Sequence, residues 1–217
     1  MPYVAKKDRE ILDNFIDKLS EYIISELTRG KKTAEISIVY RHTIKKMANT
    51  ILELEKTPLE QRKAMYDSKN DPAEIMGAKI VQVADSYGYK ADFDGELNYS
   101  ITRLIQTVPK KMVEKGEWKE PFRYWVYAQT VGALTRSALD INRMETDPKN
   151  EWIIDGIVGT LFDIKDEYKR RVNTAYEAVQ IERNGDCYDT PYRTELKKVD
   201  GGYQEVMKDY RDMLSKK

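Results

Sequence analysis

The chain has 217 residues, 37 basic against 37 acidic side chains and so a formal net charge of zero, with 34% charged and 41% hydrophobic residues. Bulk charge therefore gives no attraction to nucleic acid or an anionic membrane, and near-neutrality does little to keep copies apart, so a homo-oligomer is expected. One cysteine, Cys187, excludes an intrachain disulfide; with no apolar core of signal-peptide length at the start and no run near the ~18 apolar residues of a membrane span, the expected location is the cytoplasm.

The first helix is predicted over 8–28, with Leu12, Phe15/Ile16, Leu19, Ile23 and Leu27 at steps of three and four. Gly30 stops it, and Thr33 opens a second helix with Ile36, Val39/Tyr40, Ile44, Met47, Ile51 and Leu54 on one side. Two start signals follow. Thr57-Pro58-Leu59-Glu60 and Asp71-Pro72-Ala73-Glu74 each combine a capping residue, a proline at the first helical position and a glutamate two further on. The first predicts a short helix to about Ser68, the second a helix through Met76, Ile80 and Ala84 to Tyr87, ended by Gly88.

After a loop over 90–94, Gly95-Glu96-Leu97-Asn98-Tyr99 begins a helix with Leu97, Ile101, Leu104 and Ile105 on one face, which Pro109 should break or kink and Gly116 close. Pro121 opens the next, with Tyr124, Tyr127/Ala128, Val131, Leu134 and Ala138 as its stripe. A polar connector over 142–150 precedes the longest helix, 151–183, whose apolar positions run from Ile154 through Ile157, Leu161, Ile164, Tyr168, Val172 and Ala175 to Val179. Asn184-Gly185 ends it. The stretch 186–202 reads as irregular, and a last helix carries Tyr203, Val206/Met207, Tyr210 and Leu214. Trp125, Val131, Gly132 and Leu134 recur 27 residues on as Trp152, Val158, Gly159 and Leu161, which suggests neighbouring helices approaching closely at the two glycines. The fold expected is an all-α, single-domain helical bundle with one long central helix.

The usual catalytic and nucleotide-binding motifs are absent: no phosphate-binding P-loop, no dinucleotide glycine fingerprint, no paired cysteines for zinc. The one histidine, His42, sits between Arg41 and Lys45 and is expected to face solvent. Two clusters carry possible chemistry. Asp155, Asp163 and Glu167 share the long helix. With Glu96, or with Asp92 and Asp94, across from them, they would supply the oxygen ligands that magnesium takes in all-α nucleoside triphosphate pyrophosphohydrolases. Interleaved Lys165, Lys169 and Arg170 equally suit a solvated charged face. The other cluster is basic and aromatic: Tyr168, Arg170, Arg171 and Tyr176, with Asn184, Asp186 and Tyr188 beyond. Arginine grips phosphate or carboxylate bidentately, and tyrosine, of which there are 15, stacks on flat rings. The same residues also suit intrahelical ion pairs and the rim of a helical core.

Two stretches resemble the signatures of an uncharacterised phage and bacterial family. The first is Gly95-Glu96-Leu97-Asn98-Tyr99-Ser100-Ile101-Thr102. The second runs from Gly159 to Tyr188, matching at Leu161, Lys165, Glu167, Arg170, Arg171, Val172, Tyr176, Glu177, Asn184, Gly185, Asp186 and Tyr188. Ala175 stands where the family has proline, and Lys169 where it has an aromatic residue. The resemblance covers 92–190, leaving 1–90 as an N-terminal helical extension and 191–217 as a C-terminal loop and helix. It implies no reaction. It implies a viral setting in a host cytoplasm and a site joining Glu96, Asn98 and Tyr99 to Arg170, Arg171, Tyr176, Asn184, Asp186 and Tyr188. The function expected is binding of a small nucleotide-like ligand without a cofactor, sequestering a host-defence signal. The alternatives are magnesium-dependent hydrolysis at Glu96, Asp155, Asp163 and Glu167, or a helical protein-interaction module.

Overall fold

The computed structural model describes residues 4–29, 35–87, 93–119, 124–144, 146–184, 192–199 and 202–209, with side chains as far as Val179 and at Ile181. Eight α-helices run in order: α1 (Lys6–Thr28), α2 (Ile36–Glu55), α3 (Leu59–Arg62), α4 (Pro72–Asp85), α5 (Asp94–Glu114), α6 (Tyr124–Asn142), α7 (Glu151–Tyr168) and α8 (Thr174–Asn184). A 3-10 turn, Pro148–Asn150, leads into α7, and a π-helical turn, Lys169–Asn173, follows it. Two strands follow among the described residues, β1 (Tyr192–Val199) and β2 (Gly202–Asp209). Among the described residues no helix is long and apolar enough to cross a membrane.

The backbone falls into two compact units, 1–173 and 174–217, where one helical domain over 1–217 is expected from the sequence. The first unit is an all-α bundle. Its helices form because each carries an apolar stripe at helical spacing, and the stripes meet in one core that includes Leu12, Ile23, Ile51, Ile80, Ile101, Leu134 and Ile157. α1 packs on α4 and α5, α2 on α4 and α6, and α7 on α5 and α6. Residues 1–90 thus supply three helices of the same core.

Several local expectations change. Pro109 does not end α5, which runs on to Glu114. The end comes at Gly116, whose φ of 76° only glycine adopts easily, and Glu117 and Trp118 donate back to the Met112 carbonyl at 2.9 and 3.1 Å. Asp71 caps α4 by accepting from the amides of Ala73 and Glu74. Thr57 caps nothing: its hydroxyl donates to the Glu53 carbonyl, and α3 is four residues long. On α6 the buried face is Val126, Tyr127, Thr130, Ala133, Leu134, Ser137, Ala138 and Ile141, while Tyr124 is 55% exposed. Thr130 can be buried because its hydroxyl donates to the Val126 carbonyl at 2.8 Å, a satisfied state that counting apolar residues does not see. Gly132 and Gly159 are not close-approach points, since a Cβ on either meets nothing within 4 Å. Gly77 is one, with a Cβ falling 2.7 Å from the Met47 carbonyl oxygen of α2.

The stretch expected as one long helix over 151–183 is helical throughout, but not as one regular α-helix: the π-turn Lys169–Asn173 separates α7 from α8. Within that turn Asn173, rather than Val172, is the buried side chain.

The second unit holds α8 and the hairpin. β1 and β2 are antiparallel, with Tyr192 opposite Asp209 and Val199 opposite Gly202. Residues 192–199 and 202 are thus strand within the stretch expected to be irregular over 186–202, and 203–209 are strand where the final helix was expected to begin. Asp200-Gly201 stands between the strands in sequence, a pair favoured in two-residue hairpin connections.

Candidate functional site

Helix α5 has two working faces. Leu97, Ile101, Leu104, Ile105 and Val108 enter the core. Tyr99, Thr102, Arg103 and Gln106 recur at steps of three, one and three on an adjoining face and line a cleft of about 230 Å³. Ile164, Glu167 and Tyr168 of α7, Arg171 and Val172 of the π-turn, and Val4 and Arg9 complete its wall.

Each lip of this cleft is organised by one carboxylate. On the α1 side, Asp13 accepts the Tyr99 hydroxyl at 2.9 Å and lies 3.5 Å from Arg103 Nε. Arg9 donates to the Val4 carbonyl at 2.8 Å, and its guanidinium carbon sits 5.6 Å from the centre of the Tyr99 ring. Burial, then the bond to Asp13, raises the Tyr99 hydroxyl above its ordinary ionisation range. On the other side Glu167 accepts from Arg170 Nε at 2.7 Å, from Arg170 Nη2 at 2.8 Å, and from Arg171 Nε. Bonding to Arg170 and then Arg171 holds the Glu167 carboxyl at about 2. Both arginine side chains stay mostly exposed, at 65% and 63%. Tyr168 stacks 5.4 Å from Tyr127, and burial pushes its hydroxyl up to about 12.

Asn98, 9% exposed, lines this cleft and also a second hollow of about 350 Å³. The Thr102 hydroxyl is 3.4 Å from Asn98 Oδ1. The second hollow is walled by Asp94 of α5 and by Asp155, Gly156, Gly159, Thr160 and Asp163 of α7. Gly156 permits the approach, because a Cβ there would come 2.9 Å from Asp94 Oδ1.

Of the residues anticipated as ligand-binding, Asn98, Tyr99 and Arg171 meet in the arginine cleft, and Arg170 stands beside it through Glu167. Glu96 is buried at 5% exposure on α5 and lines neither hollow. Tyr176 is half-buried on α8, in the second unit. The Asn184 side chain, Asp186 and Tyr188 lie outside the described residues. The anticipated metal set is not brought together: Asp155 and Asp163 line the acidic hollow while Glu167 lines the arginine cleft. Among the described residues, no three of His, Cys, Asp and Glu stand close enough to hold a metal ion.

A family described as Domain of unknown function (DUF6899) matches residues 1–154. The chain belongs to this family. No curated protein and no solved structure matches. The matched stretch spans α1 to the start of α7. In this DUF6899 member, the lip carrying Arg9, Asn98, Tyr99 and Arg103 lies inside the match, and the lip carrying Glu167 and Arg171 lies beyond it.

Arg9, Thr102, Arg103 and Gln106 line the cleft without having been anticipated in the binding set, and Tyr168, from the expected basic and aromatic cluster, lines it too. A signal was present for the α5 residues. Positions 99, 102, 103 and 106 form an uncharged-to-basic polar stripe directly beside the apolar stripe of the same helix. Nothing comparable marks Arg9, whose place depends on how α1 crosses α5.

Proposed function

We propose that this chain is a small-ligand-binding protein whose site is the cleft between α5 and the end of α7, and that its ligand is nucleotide-like. The observation that carries this reading is the make-up of the wall: three arginines, two tyrosines and buried Asn98 around an apolar floor of Ile105, Ile164 and Val172. Such a wall suits a molecule with a flat ring at one end and an anionic group at the other. Arginine meets phosphate with a planar fork of donors, tyrosine offers a ring face, and a few placed polar groups in an apolar hollow fix orientation. The volume lies below the ~300–1,000 Å³ of drug-sized pockets, which limits the ligand to about mononucleotide size. In the viral setting that the GELNY-type resemblance implies, binding without turnover would withdraw a nucleotide signal from the host.

The test is a thermal-shift screen against nucleosides, nucleotides and cyclic nucleotides, with and without magnesium. A ligand of the folded state at a hundred times its Kd stabilises by about 2.7 kcal/mol. The reading requires a shift with at least one nucleotide that does not depend on magnesium. No shift with any nucleotide contradicts it.

A second reading is magnesium-dependent hydrolysis of a nucleoside triphosphate in the acidic hollow that Asp94, Asp155 and Asp163 line from two helices, and it requires these carboxylates to draw together, because as placed they do not stand close enough to hold a metal ion. It requires turnover with magnesium or manganese that Asp155→Asn and Asp163→Asn abolish. Absence of turnover with all four nucleoside triphosphates removes it.

A further inference from the structure

The charges lining the cleft are Arg9, Arg103, Arg171 and Glu167, three cations against one carboxylate. Adding the immediate ion-pair partners, Asp13 on one lip and Arg170 on the other, leaves the surplus at two. In a chain of zero net charge this is a local concentration of positive charge, and it is shared between two lips. On one lip Glu167 is set against two arginines, Arg170 and Arg171; on the other Asp13 pairs with Arg103, while Arg9 bonds the Val4 carbonyl and lies over the Tyr99 ring. The two acids leave N–H donors over, since each guanidinium carries five.

We infer that the cleft takes a doubly negative phosphate monoester, which bridges Arg103 and Arg171 and displaces Glu167 from Arg171. This rests on the ligand-binding reading above and narrows it. A dianion matches the surplus of two; a phosphodiester, with one charge, leaves half of it unmatched. Groups sharing one small cleft lie within about a Debye length, ~8 Å at physiological salt, so the second charge is felt. Arg171 is free to change partner. Its side chain is 63% exposed, its pairing is with a residue four positions away on the same helical segment, and such exposed pairs are weak. Arg170 remains to hold Glu167 through two bonds after Arg171 leaves. Glu167 is therefore a competitor for Arg171, not a ligand-binding group.

The test is calorimetric titration of the full chain with the four nucleoside 5′-monophosphates, their 3′,5′-cyclic counterparts and the nucleosides, at pH 8 and pH 5. The second phosphate ionisation of a monoester lies near pH 6, so the dianion fraction falls about tenfold between these conditions. The cyclic diester keeps one charge throughout and reports any titration of the protein. Expected are monoester binding that weakens about tenfold at pH 5 with the diester unchanged, loss of about tenfold or more in Arg171→Met, and tightening of about fivefold in Glu167→Gln, where one opposing charge is removed. Monoester and diester binding equally at both pH values, or Glu167→Gln weakening the monoester, overturns the dianion inference and leaves the ligand-binding reading standing. No binding by any of the probes overturns both.

Discussion

Tyr99 donates its hydroxyl to Asp13 Oδ1 across the α1–α5 contact, at 2.9 Å, while Tyr40, buried to 1% exposure on α2, has a hydroxyl with no hydrogen-bond partner among the described residues. Two tyrosines of one core should therefore respond oppositely to the same change. Tyr99→Phe removes a bond to a charged acceptor and should destabilise by about 1.5–3 kcal/mol at most, nearer 1 because the site is half open. Tyr40→Phe removes an unsatisfied buried polar group and should be neutral or stabilising. Urea midpoints of the two variants decide it; equal losses would contradict the hydrogen-bond assignment.

Arg62 holds a buried charge network. It is 8% exposed, bonds Glu55 Oε1 at 2.9 Å and Asp85 Oδ1 at 3.1 Å, and Tyr66 donates to the same Asp85. Arg62→Met leaves two buried carboxylates without their cation and should cost about 3–5 kcal/mol. The pH dependence has a definite sign. Burial raises the Glu55 carboxyl above 4.5, with Arg62 opposing. An acid raised in the folded state binds its proton more readily there than in the unfolded chain, so its contribution is complete below 4.5 and is lost as pH climbs through the raised value. Glu55→Gln should thus gain stability relative to the parent between pH 4.5 and pH 7. A difference that shrinks over that range contradicts the raised value.

Glycines that look alike in sequence divide by what surrounds them. Gly77→Ala drives a Cβ to 2.7 Å from the Met47 backbone oxygen and should destabilise by about 1–3 kcal/mol. Gly132→Ala and Gly159→Ala meet open space in helix interiors and should stabilise by up to about 1 kcal/mol. Melting temperatures of the three variants test this directly.

The two capping sequences diverge in the same way. Asp71→Ala removes acceptors for Ala73 and Glu74 and the 2.5 Å pair with Lys46, and should cost about 1–2 kcal/mol. Thr57→Ala removes no cap and should change stability by about 0.5 kcal/mol or less. Comparable losses in both would contradict the observed start of α3.

These cases mark what the sequence could and could not carry. The helices and most buried stripes were legible because period-3.6 patterning is a one-dimensional signal, and Leu12 through Leu27 on α1 lie inward as spaced. The π-turn was not, because Tyr168 and Val172 keep helical spacing on paper while the turn between them buries Asn173 in place of Val172. The hairpin was not, because Thr194 to Val199 lacks strict alternation and the pairing comes from a strand beyond Asp200-Gly201. Asn98, Tyr99 and Arg171 could be named in advance because they fall in the two stretches that resemble the family signatures. Arg103 belongs to the polar stripe on α5 that was legible but not used, whereas Arg9 could not be named, because its place depends on how α1 crosses α5, which no single helix encodes.

The most direct measurement is a 15N–1H correlation spectrum titrated with the tightest-binding of the four nucleoside 5′-monophosphates. Ligand in the arginine cleft should shift the amides of Tyr99, Thr102, Arg103 and Arg171 first and leave those around Asp155 and Asp163 nearly unmoved. Shifts centred on Asp94, Asp155 and Asp163, or none at saturating nucleotide, would contradict the account.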